Sequence, residues 1–226
     1  MTVIDFGLAA YETIYREQKR LVEARINDEV DDTLLVGEHH PVITLGRKRS
    51  SAANLISAGE IPVLQIERGG DITYHGPGQL ILYPIFKLEG KQQNLHQYLW
   101  ILEEAIIQTL DAFNIRASRQ EGATGVWVES KKIASIGIAV KKWVTYHGLA
   151  LNISTDLEAF QAIRPCGFES HTMTSMQVLL GNGCPTREMV QGVLCQKLKL
   201  TSLSSLHQRL LCYTQQTKLN PVSLIW

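Results

Sequence analysis

The pattern of apolar positions along the chain predicts several helices. Apolar side chains recur at helical spacing over Tyr11–Ile26, at Tyr11, Ile14, Tyr15, Leu21, Val22 and Ile26. Asn94 is a good N-cap for a second helix, whose apolar face is Leu95, Tyr98, Leu99, Leu102, Ile106, Leu110 and Phe113. A further helix is predicted from Met189, Val190, Val193, Leu194 and Leu198, and shorter ones from residues 156–163 and 202–211.

Short apolar runs between these helices predict strands at Leu34–Val36, Val42–Leu45, 61–67, 79–88, 125–130, 132–140 and 144–153. The run at 79–88 is almost continuously apolar, which is typical of an inner strand. The last three strands are joined by short links, and such links favour antiparallel hairpins. The pattern predicts an α+β fold, a mixed and largely antiparallel sheet packed with helices. Since the chain has no internal repeat or linker, we expect a single domain over residues 1–226.

Composition excludes some classes of function. Lys and Arg together number 22, as do Asp and Glu, so the net charge is zero and the basic field of a nucleic-acid-binding protein is missing. No run of 18 apolar residues is present, and the start lacks a basic segment followed by an apolar one. We therefore expect a cytoplasmic protein that binds neither nucleic acid nor membrane.

Four cysteines occur, without a Cys-x-x-Cys motif or the paired spacing of a zinc site, so no metal is expected: Cys166, Cys184, Cys195 and Cys212. Cys166 stands in a Pro-Cys-Gly bend, an unusual place for a core residue, and is the candidate nucleophile. A thiol needs a neighbouring cation or base to become reactive at neutral pH. Lys132, which opens a predicted strand after a tight turn, is a candidate for that cation. The alternative is a solvated lysine at a hairpin end.

A glycine-rich segment, RGGDITYHGPGQLILYPI, runs from Arg68 to Ile85 and holds four glycines and one proline up to Gly78. Its spacing does not fit the phosphate-binding patterns G-x-x-x-x-G-K-[ST] or G-x-G-x-x-G. The glycines either permit a close approach of backbone and ligand or form a tight turn around Pro77. Composition alone leaves both interpretations open.

Five segments together resemble the octanoyltransferase family, also called the lipoate–protein ligase B family. In chain order they are EHHPVITLGR, RGGDITYHGPGQLILYPI, TGVWVESKKIASIG, YHGLALNISTDL and IRPCGFESHTMTSM. They follow the family's order between Glu38 and Met176, and five ordered segments are far more specific than one motif. Arg164 stands where the family commonly has a small polar residue, and the tail after Gln177 carries no motif.

The resemblance implies the fold of biotin and lipoate ligase catalytic domains and a two-step acyl transfer without ATP or another cofactor. Cys166 would accept octanoate from octanoyl-acyl carrier protein. It would then pass the acyl group to a lysine ε-amine on a lipoyl domain of a 2-oxoacid dehydrogenase or on the glycine cleavage H protein. Lys132 would stabilise the thiolate and handle the proton of the incoming amine. The acyl site would be lined by Arg68, Gly69, Gly70, Asp71, Ile72, Thr73, Tyr74, His75, Ser135, Ile136, Gly137, Gly148, Leu149 and Ala150, with Tyr83 and His39 beside it.

Several expectations stay open at this point. Gly76, Pro77 and Gly78 would keep the acyl tunnel open, while a purely structural role is the alternative for His75 and His39. An ATP-dependent lipoate or biotin ligase would share the fold but need no catalytic thiol. A non-catalytic acyl-carrier-binding module would explain the glycines but not Cys166 and Lys132 together. A local basic rim for acidic carriers is expected at Lys131, Lys141 and Lys142.

Overall fold

The computed structural model describes residues 1–48, 50–165 and 170–200, which form two sheets flanked by helices. The strands are β1 (Thr2–Ala9), β2 (Thr33–His39), β3 (Val42–Leu45), β4 (Val63–Gln65), β5 (Thr73–His75), β6 (Gln79–Ile85), β7 (Ser118–Gln120), β8 (Ala123–Val128), β9 (Lys131–Lys141) and β10 (Val144–Asn152). The α-helices are α1 (Tyr11–Ile26), α2 (Leu95–Asp111), α3 (Met176–Leu180) and α4 (Arg187–Leu200).

The large sheet has seven strands in the order β1-β2-β6-β10-β9-β8-β7, and the small sheet has the order β4-β3-β5. In the large sheet β1 runs parallel to β2, and the other neighbouring pairs are antiparallel. In the small sheet β3 is parallel to β4 and antiparallel to β5. The predicted α+β class with a mixed, largely antiparallel sheet is therefore confirmed. Among the described residues, no helix combines the length and apolar character needed to cross a membrane.

Strand β6 shows why the 79–88 run is almost continuously apolar. It lies between β2 and β10, and each of its residues is buried. Leu80 and Leu82 pack with α2 and α4, whereas Ile81 and Tyr83 pack with α1 on the other face. A strand covered on both faces needs apolar residues at consecutive positions rather than alternate ones. The predicted inner strand is confirmed.

The first two helices follow their predictions closely. Helix α1 spans Tyr11–Ile26 as predicted. Helix α2 begins after Asn94, whose side-chain oxygen accepts the backbone N–H of Gln97 at 3.1 Å, as expected of an N-cap. It ends at Asp111, so Phe113 of the predicted face lies beyond it. The third predicted helix is α4, and the predicted helix at 202–211 lies outside the described residues.

Strands β8, β9 and β10 form the predicted antiparallel hairpins. Lys142 and Trp143 make the two-residue link between β9 and β10, and both have positive φ, 46° and 63°. Positive φ at both central residues is the signature of the tight type I′ turn, whose twist matches that of the strands.

Other elements differ from the sequence-based expectation. Strand β1 was not predicted, and it lies largely exposed at the sheet edge. Strand β5 lies inside the segment that we expected to be a loop, and β7 is a three-residue edge strand. The predicted strand at 61–67 shortens to β4 and belongs to the small sheet. The predicted helix at 156–163 is a 3-10 helix over Glu158–Ala162.

Candidate active site

A cavity lies where α1, the 68–75 segment, β6, β9 and β10 meet. Most of the predicted acyl-site residues line it, namely Arg68, Gly70, Asp71, Ile72, Thr73, His75, Tyr83, Lys132, Ser135, Ile136, Gly137, Gly148, Leu149 and Ala150. Three lining residues were not among the predicted ones, Tyr11, His147 and Pro165. The segments of sequence that we singled out separately therefore meet around one cavity.

Three predicted residues lie behind the cavity wall rather than in it. Gly69 donates its N–H to the carbonyl of Ile138 at 2.8 Å, so it joins the glycine-rich segment to β9. Tyr74 packs edge-on against Phe160, with ring centroids 5.5 Å apart. His39 supports Tyr83 from behind, through a hydrogen bond described below.

The glycine-rich segment bridges the two sheets. Arg68 is 8% exposed, and its guanidinium donates to the carbonyl and hydroxyl oxygens of Thr44 in β3, at 2.8 and 3.0 Å. Asp71 is buried and accepts hydrogen bonds from Ser50 at 2.9 Å, Asn54 at 2.9 Å and the N–H of Ile72 at 2.8 Å. Burial alone would raise the pKa of Asp71, but these bonds outweigh it and the pKa is lowered. The segment therefore carries a fixed cation and a fixed anion beside the cavity.

Gly76, Pro77 and Gly78 form a turn beside the cavity-lining residue His75, and their role beside an acyl chain stays a prediction. None of the three is among the described residues that line the cavity. Gly78 has a φ of 79°, and a Cβ there would lie 2.7 Å from the backbone carbon of Ser154. Its carbonyl accepts the N–H groups of Ile153 and Ser154 at 3.1 and 3.0 Å. Gly78 therefore packs closely against the protein's own chain.

Lys132 is buried in the cavity wall. It is 4% exposed, so the alternative of a solvated lysine at a hairpin end is wrong. Its ammonium donates to the carbonyl of Thr124 at 2.7 Å and lies 5.4 Å from the centroid of the Trp127 ring. A Cβ on Gly125 would lie 2.5 Å from Cε of Lys132, so the glycine leaves space for this side chain. A buried ammonium is costly unless it is hydrogen-bonded, and the fold holds it at a defined place.

The predicted nucleophile, Cys166, lies outside the described residues. The chain on either side of it is described. Pro165 lines the cavity, and Met173 forms an isolated bridge with Lys132. The N–H of Thr174 donates to the carbonyl of Lys132 at 2.9 Å. Both flanks of the Cys166 segment therefore contact the cavity or its lysine.

Three buried histidines lie at the cavity, His75 and His147 in its wall and His39 behind it. His39 is 0% exposed, and its Nδ1 lies 3.0 Å from the carbonyl of Ala9, which can only accept. Nδ1 therefore carries the proton, and Nε2 accepts from the hydroxyl of Tyr83 at 2.9 Å. Nδ1 of His75 pairs with Oε1 of Gln79 at 2.7 Å. Burial lowers the pKa of His39 to about 4 and that of His75 to about 3. Both are neutral hydrogen-bonding groups at neutral pH.

His147 adopts a backbone conformation that few non-glycine residues adopt, with a φ of 54°. Its N–H donates to the side chain of Gln18 at 2.8 Å, and its Nδ1 lies 3.4 Å from the hydroxyl of Tyr11. Burial, with the charges of Arg68 and Lys19, lowers its pKa to about 3. Nothing in the sequence indicated that His147, within the segment YHGLALN, would contact Tyr11 of α1.

The chain matches the family model described as lipoyl protein ligase A/B catalytic domain over residues 11–198. A protein of Caldicellulosiruptor saccharolyticus named octanoyltransferase is 45% identical over 189 residues, which cover 80% of each chain. A crystal structure of lipoate-protein ligase A bound with ATP is similar with a TM-score of 0.69 at 14% identity, covering 92% of this chain and 86% of that one. Biotin protein ligase from Aquifex aeolicus has a TM-score of 0.54 at 15% identity, covering 88% and 67%.

At such identities the two solved structures show the fold alone, and this confirms the predicted likeness to the biotin and lipoate ligase catalytic domains. The family model spans most of the chain, including Lys132 and the lining residues of β9 and β10. The chain therefore belongs to the family of lipoyl protein ligase A/B catalytic domains, and its predicted membership of the octanoyltransferases is confirmed.

Proposed function

We propose that the protein is an octanoyltransferase that moves an octanoyl group from octanoyl-acyl carrier protein to a lysine of a lipoyl domain. The observation that carries the proposal is the burial of Lys132 in a cavity that Pro165, the residue before Cys166, also lines. The 45% identical relative named octanoyltransferase supports the same reaction class. The acceptors would be lipoyl domains of 2-oxoacid dehydrogenases and the glycine cleavage H protein, and the location cytoplasmic.

In the first step, the thiolate of Cys166 attacks the thioester carbonyl of the donor. The bond between the acyl carbon and the carrier sulfur breaks, and the carrier thiolate takes a proton from the ammonium of Lys132. The products are an acyl-enzyme thioester, a free carrier thiol and a neutral Lys132 amine. The hydrogen bond to the carbonyl of Thr124 holds the ammonium of Lys132 in position for this step.

In the second step, the neutral Lys132 takes one proton from the ε-ammonium of the acceptor lysine. The resulting amine attacks the acyl carbon, the bond to the Cys166 sulfur breaks, and the thiolate returns. The amide nitrogen releases its second proton to solvent, so each turnover yields one amide, one carrier thiol and one proton. A thioester is more reactive than an amide, so no ATP or other cofactor is needed.

The test is intact-mass analysis after mixing the protein with octanoyl-acyl carrier protein. The mass should rise by one octanoyl group, which hydroxylamine should remove, and peptide mapping should place the group on Cys166. Cys166→Ser should lose nearly all turnover, because a hydroxyl is a far poorer nucleophile without a dedicated base. Cys184→Ser is the matched control, since Cys184 is half-buried and burial raises the pKa of its thiol.

The same experiment separates the alternatives. A carrier-binding module would gain no covalent mass, and an ATP-dependent ligase would acylate the acceptor only when ATP is added. Acylation mapped to Cys184, Cys195 or Cys212 would contradict the proposal.

A further inference from the structure

A cluster beside the cavity already holds a lysine side chain of this chain. The ammonium of Lys19 lies 5.1 Å from the ring centroid of Tyr15 and 4.9 Å from that of Tyr146. It is also ion-paired with Glu67, whose carboxylate accepts the hydroxyl groups of Tyr15 and, at 3.1 Å, of Tyr146. We call Tyr15, Tyr146 and Glu67 the tyrosine cage. Two aromatic faces and a carboxylate are a strong combination for binding an alkylammonium group.

The tyrosine cage shares a wall with the cavity. The ring of Tyr15 stacks on that of His147, with centroids 5.6 Å apart and planes at 14°, and His147 lines the cavity. In a regular strand, neighbouring side chains point to opposite faces. The positive φ of His147 breaks this alternation, so the rings of both Tyr146 and His147 contact α1 side chains. Glu67 directly precedes Arg68, another lining residue.

The cage is also open to solvent. The side chains of Lys19 and Glu67 are 43% and 32% exposed, in contrast to the buried His147 on the cavity side. Lys19 sits on a long flexible stem and can leave for water without any change of the backbone. A lysine from another protein could then enter the cage at a small free-energy cost. Its ammonium would make the same contacts with the two rings and the carboxylate that the ammonium of Lys19 gives up.

We propose that the tyrosine cage is the entry site for the ε-ammonium of the acceptor lysine, and that Lys19 occupies it until the acceptor arrives. The proposal rests on the proposed function, which makes a lysine the second substrate. The cage holds the ammonium beside His147 before the amine reaches the acyl carbon in the cavity. A purely structural role for the same contacts is the alternative, and it makes the opposite prediction for removal of Lys19.

The experiment uses n-butylamine as a minimal acceptor and follows amide formation by preformed octanoyl-enzyme. Lys19→Met removes the competing ammonium while keeping the length of the side chain, and should lower the half-saturating concentration of n-butylamine about fivefold. Glu67→Gln removes the carboxylate charge and should raise the half-saturating concentration of n-butylamine about tenfold. Its effect on the rate of acylation by the donor should be smaller. Lys87→Met is the matched control, because Lys87 is a lysine paired with Asp28 outside the cage, and it should change neither the half-saturating concentration of n-butylamine nor the rate of acylation.

A binding measurement tests the cage even without turnover. When n-butylammonium is mixed with Lys19→Met, the NMR signal of the ligand's methylene group next to nitrogen should move upfield. In the cage this methylene would lie over two aromatic rings. The unsubstituted protein should shift this signal less at the same concentration. Equal shifts in the two proteins, or a higher half-saturating concentration in Lys19→Met, would overturn the cage proposal. Absence of any acyl-enzyme in the unsubstituted protein would instead overturn the proposed function.

Discussion

Gly125→Ala tests whether the position of Lys132 controls the first chemical step. The added Cβ would lie 2.5 Å from Cε of Lys132, 3.1 Å from its ammonium nitrogen and 2.5 Å from the carbonyl oxygen of Ala134. The backbone at residue 125 must shift away from the β9 carbonyl, and the lysine side chain must move to clear the new methyl group. The φ of Gly125 is 128°, a conformation that costs an alanine about 1–3 kcal/mol.

Steric overlap adds a further ~1–3 kcal/mol, so Gly125→Ala should destabilise the protein by about 2–6 kcal/mol in total. This is less than the stability of most domains, so the variant should fold. Displacing the lysine by about 1 Å should slow acylation of Cys166 by roughly 100-fold, since catalytic geometry tolerates little error.

Two assays measure the two effects, urea unfolding for stability and intact mass against time for acylation per folded molecule. Gly192→Ala is the matched control, because nothing lies within 4 Å of a Cβ at this position in α4. It should stabilise the helix by about 0.5–1 kcal/mol and leave acylation unchanged. If Gly125→Ala acylates as fast as Gly192→Ala, the position of Lys132 does not limit the reaction and the reasoning is wrong.

Three other predictions concern single contacts. Lys132→Arg keeps the positive charge beside the thiolate, so it should still form the acyl-enzyme, but more slowly, because the carrier thiolate must take its proton from solvent instead of from residue 132. It should then fail to pass octanoate on, because an arginine that stays protonated cannot take the proton of the attacking amine; full transfer to a lipoyl domain would exclude a proton relay by Lys132. The folded-state pKa of His39 is about 4, below the value of 6.5 expected when unfolded, so its contribution to stability is complete above pH 6.5 and is lost as pH falls towards 4. That loss amounts to at most about 3 kcal/mol. Between pH 7 and 4, the unfolding free energy of His39→Gln should therefore fall less than that of the unsubstituted protein. Parallel curves of unfolding free energy against pH for the two proteins would contradict the prediction. Asn94→Ala should cost about 1 kcal/mol by removing the N-cap of α2, and urea unfolding should show a lower midpoint with an unchanged slope.

Local pattern was sufficient for much of the fold. The spacing of apolar residues over Tyr11–Ile26 predicts α1 because a helix buries one face. The 79–88 run predicts an inner strand because only burial on both faces explains continuous apolar character. The edge strands β1 and β7 escape such reasoning. Five of the eight residues of β1 are apolar, yet all of them are exposed or half-buried, and β7 is a strand of three polar residues.

The candidate residues of the basic rim are spread along one strand. Lys131 begins β9, whereas Lys141 ends it and Lys142 follows in the turn. At about 3.3 Å per residue, the two ends of this 11-residue strand are roughly 30 Å apart. Exposed charges interact over about 8–10 Å at physiological salt, so the two ends of β9 would attract an acidic carrier as separate charged positions, and the rim stays a prediction. Sequence position shows which residues are near strand ends, but strand length decides which of them can face the same partner.

The candidate site owes its assembly to pairing that sequence spacing does not display. Ser135–Gly137 and Gly148–Ala150 were singled out as separate motifs, yet Gly148 pairs with Gly137, Leu149 with Ile136 and Ala150 with Ser135 across β9 and β10. The register is set by the two-residue turn at Lys142 and Trp143. A one-residue change in that turn would shift every pair and move the lining residues to the other face. The turn lies far from the cavity, but the cavity wall depends on it.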